Sequence, residues 1–364
     1  MAVSDRLAGF VFPGYNPIEV PNPPTLNSVP AGTTSAVTFT APTDIGGAPI
    51  SSYIVVATNT TTGAAFSASG SSSPITISGL PEATYEVSVH AVNLYGPSGN
   101  SNTITQAMLN QGQTAYTTSG TYTWVAPVGA STVSVVCVGG GGATGNYFVN
   151  PNNWFTGGGG GALAYVNNYG VTTGNSYTVV VADGGPALGT GPSTNSSFNV
   201  SVCKAGSGGT NNSNTSGGAG GTVLNGTGGN GGTGGNGLAS GAQMRAPSGG
   251  GAGGYSGNGG NGEPAGVTAT GSAGSGGGGG SGGVYSSGGA GGGGGVGILG
   301  QGANGAAGAD GAGGGGGSGG NNGSNAGGIY GGGAGYWSGG GVGAVRIIWP
   351  GATRQFPSTN TGDV

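Results

Sequence analysis

Charge is what this chain most lacks. Its 364 residues hold five Lys/Arg, nine Asp/Glu and one histidine, a formal net charge of −4, whereas about a quarter of a typical chain is charged. Without a basic footprint, no nucleic-acid partner and no anionic membrane partner are expected. Long apolar runs are missing as well, so no membrane insertion is expected. The apolar patch at residues 7–12 is too short for the core of a secretory signal. Proline is scarce where glycine is densest: residues 206–344 hold only Pro247 and Pro264, which excludes collagen. Disorder driven by charge is excluded for want of charge.

The residues of enzyme and metal chemistry are also thin. The one lysine, Lys204, precedes Ala205, so no glycine loop carries the Lys-Ser/Thr that grips phosphate. Asp310 stands alone in its glycine context, whereas calcium-binding glycine repeats need an aspartate in each repeat. There is no Cys/His cluster for zinc, and the acids are scattered singly. No enzyme activity, cofactor or metal is therefore expected. Cys137 and Cys203 read as buried free thiols on strands, with a disulfide between them left open.

Glycine is what the chain has instead, at 97 residues. From about residue 20 to 108, however, short apolar alternations are broken by turn signals at the spacing of an all-β sandwich. Tyr85, Val87, Val89 and Ala91 form one face of a strand; Glu86, Ser88 and His90 form the other, expected to be solvated. The segment resembles a fibronectin type III domain. The matching residues are Pro23-Pro24, Val37-Thr38-Phe39, Asp44 to Ile50 leading to Tyr53, Ile77-Ser78-Gly79-Leu80, Tyr85, Ala91-Val92-Asn93 and Gly96-Pro97-Ser98. The resemblance implies a corner in which the Tyr85 hydroxyl ties the loop after Leu80 to the backbone. Residues 1–19 read as an N-terminal docking arm and 109–115 as a polar linker.

Residues 116–350 read as a glycine-rich domain, followed by a C-terminal tail, 351–364. Expected strands are 121–125, 133–138, 162–166, 177–181, 198–203 and 344–349, rich in valine and aromatics. Between the last two lies an insertion, 206–344, about half glycine. Ordering a glycine costs about 0.5–1 kcal/mol more than ordering alanine, and few side chains exist to build a core. The ordered solution open to such a segment is close packing of bare backbones as threefold extended helices joined by N–H···O and Cα–H···O bonds. Punctuating segments such as Gln243 to Pro247, Glu263 to Val267 and Tyr336-Trp337 favour that bundle over a flexible linker. So does the three-residue phase of Gly302, Gly305, Gly308, Gly311 and Gly314. The expected fold class is all-β plus polyglycine-II: a fibronectin type III-like sandwich, then a small β region carrying a polyglycine-II helix bundle.

The opening Ser119 to Gly129, the strand Val133 to Val136 running into glycine, and the closing Gly343 to Trp349 resemble the glycine-rich domains of bacteriophage virion proteins. The glycine-rich body is similar to the polyglycine sandwich of distal tail-fibre adhesins of T-even-like phages. The ending Arg354 to Thr361 resembles those of virion proteins from phages of marine cyanobacteria. The resemblance implies a virion protein assembled in the host cytoplasm and exposed on the particle. Its expected role is a tail-fibre tip that binds the host surface, a glycan or an outer-membrane protein. Residues 1–19 and the fibronectin-like domain would join it to other virion proteins, as a trimer or a monomeric tip. The alternatives are a purely structural virion decoration and an ice-binding or cell-surface glycine-rich protein.

Candidate receptor-binding residues are the aromatics that interrupt glycine: Tyr147, Phe148, Trp154, Phe155, Tyr255, Tyr285, Tyr330, Tyr336 and Trp337. Aromatic faces beside asparagine amides suit sugar rings. The competing reading is that these rings cap the ends of a bundle that has no other apolar seal.

Overall fold

A computed structural model describes residues 18–362 except 33, 82, 109–110, 128–129, 150–151, 188, 190, 193, 238–246, 267, 285–289 and 359–360, and only the backbone of 147–149 and 152–153. Among the described residues every extended regular element is a β-strand, and the chain divides into two compact units between residues 110 and 111. Of the expected arm 1–19, residues 1–17 lie outside the described residues. Glu19 belongs to the first unit: its N–H donates to Gly46 O (3.1 Å), and its carbonyl accepts from Asn93 Nδ2 (2.9 Å).

The first unit contains β1 (Thr25–Ser28), β2 (Ser35–Thr40), β3 (Ser52–Asn59), β4 (Ala65–Gly70), β5 (Ile75–Ile77), β6 (Ala83–Asn93), β7 (Gly96–Pro97) and β8 (Ile104–Met108). A three-stranded sheet, β1-β2-β5, lies against a sheet ordered β4-β3-β6, with β7 and β8 also pairing with β6. Period-two alternation builds the shared core: Val37 and Phe39 on one sheet meet Tyr53, Val55, Tyr85, Val87 and Val89 on the other. The Tyr85 hydroxyl donates to Pro81 O at 3.0 Å, beside buried Leu80. The opposite face of β6 is less solvated than its residue types imply. Glu86 is exposed, but Ser88 is buried, and half-buried His90 has an Nδ1 without a partner.

The second unit contains β9 (Gly112–Tyr116), β10 (Gly120–Val125), β11 (Thr132–Val138), β12 (Gly145–Val149), β13 (Asn152–Thr156), β14 (Leu163–Gly170), β15 (Ser176–Val181), β16 (Ser196–Phe198), β17 (Cys203–Ala205), β18 (Val223–Asn225), β19 (Thr227–Gly229) and β20 (Ala344–Trp349). Two five-stranded sheets, β10-β15-β16-β17-β18 and β19-β14-β11-β20-β9, enclose a core with Trp124, Val133, Val135, Cys137, Phe198 and Ile347. Both cysteines are buried free thiols; Cys137 Sγ donates to Cys203 O at 3.5 Å. The strand expected over 198–203 is instead a hairpin, turned at Asn199 and Val200, both at positive φ. Residues 112–115 of the expected linker form, with Tyr116, a strand paired with β20. Of the expected C-terminal tail, the described residues 351–358 pack on the unit: Phe356 is buried, and Arg354 donates to Gly112 O at 2.8 Å.

Strand β11 is buried on both faces. Its alternate residues Val136 and Val138 turn away from the sandwich and pack with Leu163 and Ile348 against Ala252, Tyr255, Val296 and Phe356. Beyond the sheet the strands continue as glycine runs in which neighbours change. In 157–162, Gly157 and Gly160 donate to Gly235 and Gly232, Gly158 and Gly161 to Ala334 and Gly331, and Gly159 and Ala162 to Gly209 and Gly206, at 2.7–3.0 Å. The carbonyls follow the same step of three: those of 157 and 160 accept from Gly218 and Gly221, 158 and 161 from Gly250 and Gly253, and 159 and 162 from Gly142 and Gly139. One run thus bonds to six others, where a β-strand bonds to two. Runs 249–253 and 291–295 are likewise interior, joined by Gly249 to Gly291 O and Ala252 to Gly294 O.

Such proximity requires glycine. A Cβ on Gly158, Gly159 or Gly160 would lie 2.0 Å from the carbonyl oxygens of Gly142, Ala219 and Gly251 respectively. Where a run has no neighbour on one side, asparagine replaces the missing carbonyl. Oδ1 of Asn258, Asn261 and Asn236 accepts from the N–H of Asn230, Thr233 and Gly217 at 2.8–3.0 Å. The packed region is wider than the expected insertion, because 139–142 and 157–162 belong to it. The glycine phase over 302–314 is also interrupted: Gly305 and Gly308 are buried at a step of three, but Asp310 and Gly311 turn the chain at φ 47° and 81°.

Candidate binding end of the glycine-rich unit

The runs give this unit two different ends. Run 157–162 leaves β13 at Thr156 and enters β14 at Leu163, so the β12–β13 hairpin sits at one end and the sheet at the other. Gly158 pairs with Ala334 and Gly161 with Gly331, which carries Gly335 to Ser338 to the hairpin end. Gly159 pairs with Gly209 and Ala162 with Gly206, which carries Thr210 to Ser216 there as well.

Three of the candidate aromatics converge at the hairpin end. Phe155 lies edge-on to Tyr336 (5.8 Å between centroids) and tilted against Trp337 (5.4 Å), and the latter two are 6.0 Å apart. Phe155 is buried and Tyr336 half-buried against Val284 and Ala290, whereas Trp337 is 50% exposed. Trp337 takes φ 48°, a left-handed conformation rare for a bulky side chain. Its neighbour Ser338 donates its N–H to Thr144 Oγ1 at 3.1 Å. Trp154 is half-buried on the hairpin, and β12 places Tyr147 and Phe148 opposite Trp154 and Asn153 in the ladder.

Amides and hydroxyls surround these rings. Asn146 pairs across the hairpin with Phe155 and donates its N–H to Asn212 Oδ1 at 2.7 Å. Asn212 Nδ2 donates to Gly189 O at 3.1 Å, and Thr156 Oγ1 to Asn211 O at 2.7 Å. Asn146 Oδ1 is buried and has no hydrogen-bond partner. Thr144, Asn211, Asn212 and Ser338 were not candidates from sequence. The signal that could have found them is the Asn211-Asn212-Ser213-Asn214 cluster terminating a glycine run.

The remaining candidates do not join this group. Tyr255 is fully buried at the sheet end, stacked on Phe356, and its hydroxyl donates to Gly297 O (3.2 Å) and accepts from Gly300 N–H (3.1 Å). Burial raises its phenol pKa. It is a core residue and not a surface contact, because the outer face of β11, β14 and β20 needs an apolar cover. Tyr330 packs beside the same cluster, half-buried. Tyr285 lies outside the described residues. A cavity of about 580 Å³ at the sheet end is lined by Gln113, Ile298, Leu299, Asn321, Tyr330 and Arg346. Its buried guanidinium is already engaged by Gln113 Oε1 (2.8 Å), Ile298 O (3.1 Å) and Gly362 O (3.0 Å). Among the described residues no group of three or more His, Cys, Asp or Glu could hold a metal.

Fold and site together define a glycine-rich β protein whose backbone packing replaces most of a side-chain core and whose loops gather at the ends of the runs. Residues 117–328 match the family model described as a glycine-rich domain, and the chain belongs to that family. No curated protein matches the chain in sequence. One similar solved structure, described as titin kinase and its flanking domains, is 26% identical over 24% of this chain and 16% of its own length, with a TM-score of 0.22. A likeness at that level carries no argument.

Proposed function

We propose that this protein is a phage virion component that binds the host cell surface through the hairpin end of its glycine-rich unit, as a tail-fibre tip does. The observation that carries the reading is the separation of roles along the runs. One end is anchored in a sheet and sealed by Tyr255 and Phe356, and the other displays Trp337 among polar loops. The threefold bonding step, with six neighbours around 157–162, supports a polyglycine-II bundle as the rigid support. The two-sheet first unit with its Tyr85–Pro81 tie supports a fibronectin type III-like spacer through which the protein attaches to other virion proteins. Rigidity matters because a loop held on a stiff scaffold loses less conformational entropy on binding.

Fluorescently labelled protein applied to a panel of intact bacteria, cyanobacteria included, tests this. Saturable labelling of some strains, and its loss when residues 211–216 are replaced by a Gly/Ser loop, is the expected result. Absence of labelling on every strain that a phage carrying the protein infects would sink the proposal.

A further inference from the structure

We infer that Trp337 and Asn146 form a subsite for the ring of a neutral sugar; the inference rests on the reading of the hairpin end as the binding end. Three independent features meet there. The first is the display of the indole. Phe155 shows how a ring that merely seals this end is held: it is 2% exposed, with Tyr336 and Trp337 against it. Trp337 is instead 50% exposed on a backbone at φ 48°, a left-handed conformation that strains a non-glycine residue. Strain of that kind persists where the surrounding contacts enforce it, and here the Ser338 N–H to Thr144 bond does so one residue on.

The second feature is an acceptor without a donor. Asn146 is opposite Phe155 in the hairpin ladder, so the two side chains share a face, and the Phe155 ring touches Trp337. The Asn146 amide oxygen is buried and unpaired, while its N–H is taken by Asn212. Buried acceptors are normally satisfied, and a sugar hydroxyl that displaces what covers this oxygen supplies the donor it lacks. The third feature is the chemistry of the bonded groups described here: the hydroxyls of Thr144 and Thr156, the amide oxygen of Asn212 and backbone groups of Asn211 and Ser338, none of them charged. A sugar ring offers an apolar C–H face for the indole and hydroxyl donors for the amide. Among these described groups an anionic sugar or a phosphate would meet no counter-charge.

The full-length protein is titrated with methyl β-glucopyranoside, methyl β-galactopyranoside and methyl α-mannopyranoside while the tryptophan indole N–H signals are followed by NMR. At least one glycoside is expected to shift the Trp337 signal saturably, leaving that of buried Trp124 in place. W337A abolishes the response, W337F retains a weakened one, and N146A weakens it roughly five- to tenfold with the melting curve preserved. If none of the three glycosides moves the Trp337 signal while the protein still labels cells, the sugar subsite is wrong and the binding-end reading stands. A response to free tryptophan or an aromatic dipeptide in place of sugars also overturns it, in favour of a protein receptor. Loss of cell labelling with the glycoside response intact counts against the receptor reading alone.

Discussion

Tyr255 and Phe356 stack with their ring planes 19° apart and their centroids at 5.7 Å. One comes from a turn between glycine runs and the other from the segment after the last strand, so the stack locks the glycine packing to the sheet. Tyr165 joins both rings at 5.9 and 6.1 Å. Truncating Phe356→Ala is expected to destabilise the second unit by about 3–5 kcal/mol. Tyr255→Phe leaves the buried Gly300 N–H unpaired and costs about 1–3 kcal/mol. Denaturant unfolding of the full chain, followed by near-ultraviolet signal, measures both.

Tyr255 also sets a pH dependence. Burial raises its pKa above the ordinary value of 10.0, so the unfolded chain releases this proton first. Its contribution is fully present below pH 10 and is lost as pH rises above that value towards the folded-state pKa. Wild-type stability should fall faster than that of Tyr255→Phe above pH 10. Identical slopes in urea titrations at successive pH values would rule this out.

The glycine runs make a sharp contrast testable by single methyl groups. Gly160→Ala places a Cβ 2.0 Å from Gly251 O, whereas at Gly170, at the end of β14, the added Cβ meets nothing within 4 Å. The first substitution is expected to cost roughly 3 kcal/mol or more and the second to lie within about 0.5 kcal/mol of wild type. Thermal unfolding of the two variants side by side decides it.

Asparagine at the bundle edge acts as a substitute carbonyl. Removing it in Asn261→Ala leaves the Thr233 N–H to water and should cost about 0.5–1.5 kcal/mol, with Asn261→Asp milder because the acceptor remains. Hydrogen exchange at Thr233 reads the same event locally: faster in the alanine variant, near wild type in the aspartate.

The cysteines should be chemically silent in the folded protein. Burial, reinforced by the adjacent Cys203 thiol, pushes the Cys137 thiol well above the usual range. A soluble thiol reagent at pH 8 is expected to leave both unlabelled until denaturant is added, when both react. Rapid labelling of the native protein would contradict the packing of β11 against β17.

Much of this was legible in the residues. Valine-rich alternation located β11, the run Ala344 to Trp349 is β20, and Tyr85 with Leu80 marked the corner of the first unit. What failed had local causes. Phe198 to Cys203 reads as one apolar strand, because Asn199-Val200 is not a usual turn pair, yet the chain reverses there at positive φ. Residues 112–115 of the expected linker belong to β9, because Gln113 and its neighbours complete the edge of β20. Alternation alone places His90 on a solvated face, and alternation does not register the local packing that buries Ser88 on that face.

Composition by itself determined that the segment 206–344 must be held together by backbone: too little proline for collagen and too few side chains for a core. The step of three is visible there as a tendency. The tertiary structure decided which runs become neighbours and, through that, the fate of each ring. Tyr255 and Trp337 sit in similar Gly-Tyr contexts, Gly254-Tyr255-Ser256 and Gly335-Tyr336-Trp337. Among the described runs, 250–253 heads for the sheet end and 331–334 for the hairpin end, so the interruptions that follow them fall at opposite ends. A ring at the sheet end meets valines and is buried; a ring at the hairpin end meets amides and solvent, and one of them is displayed.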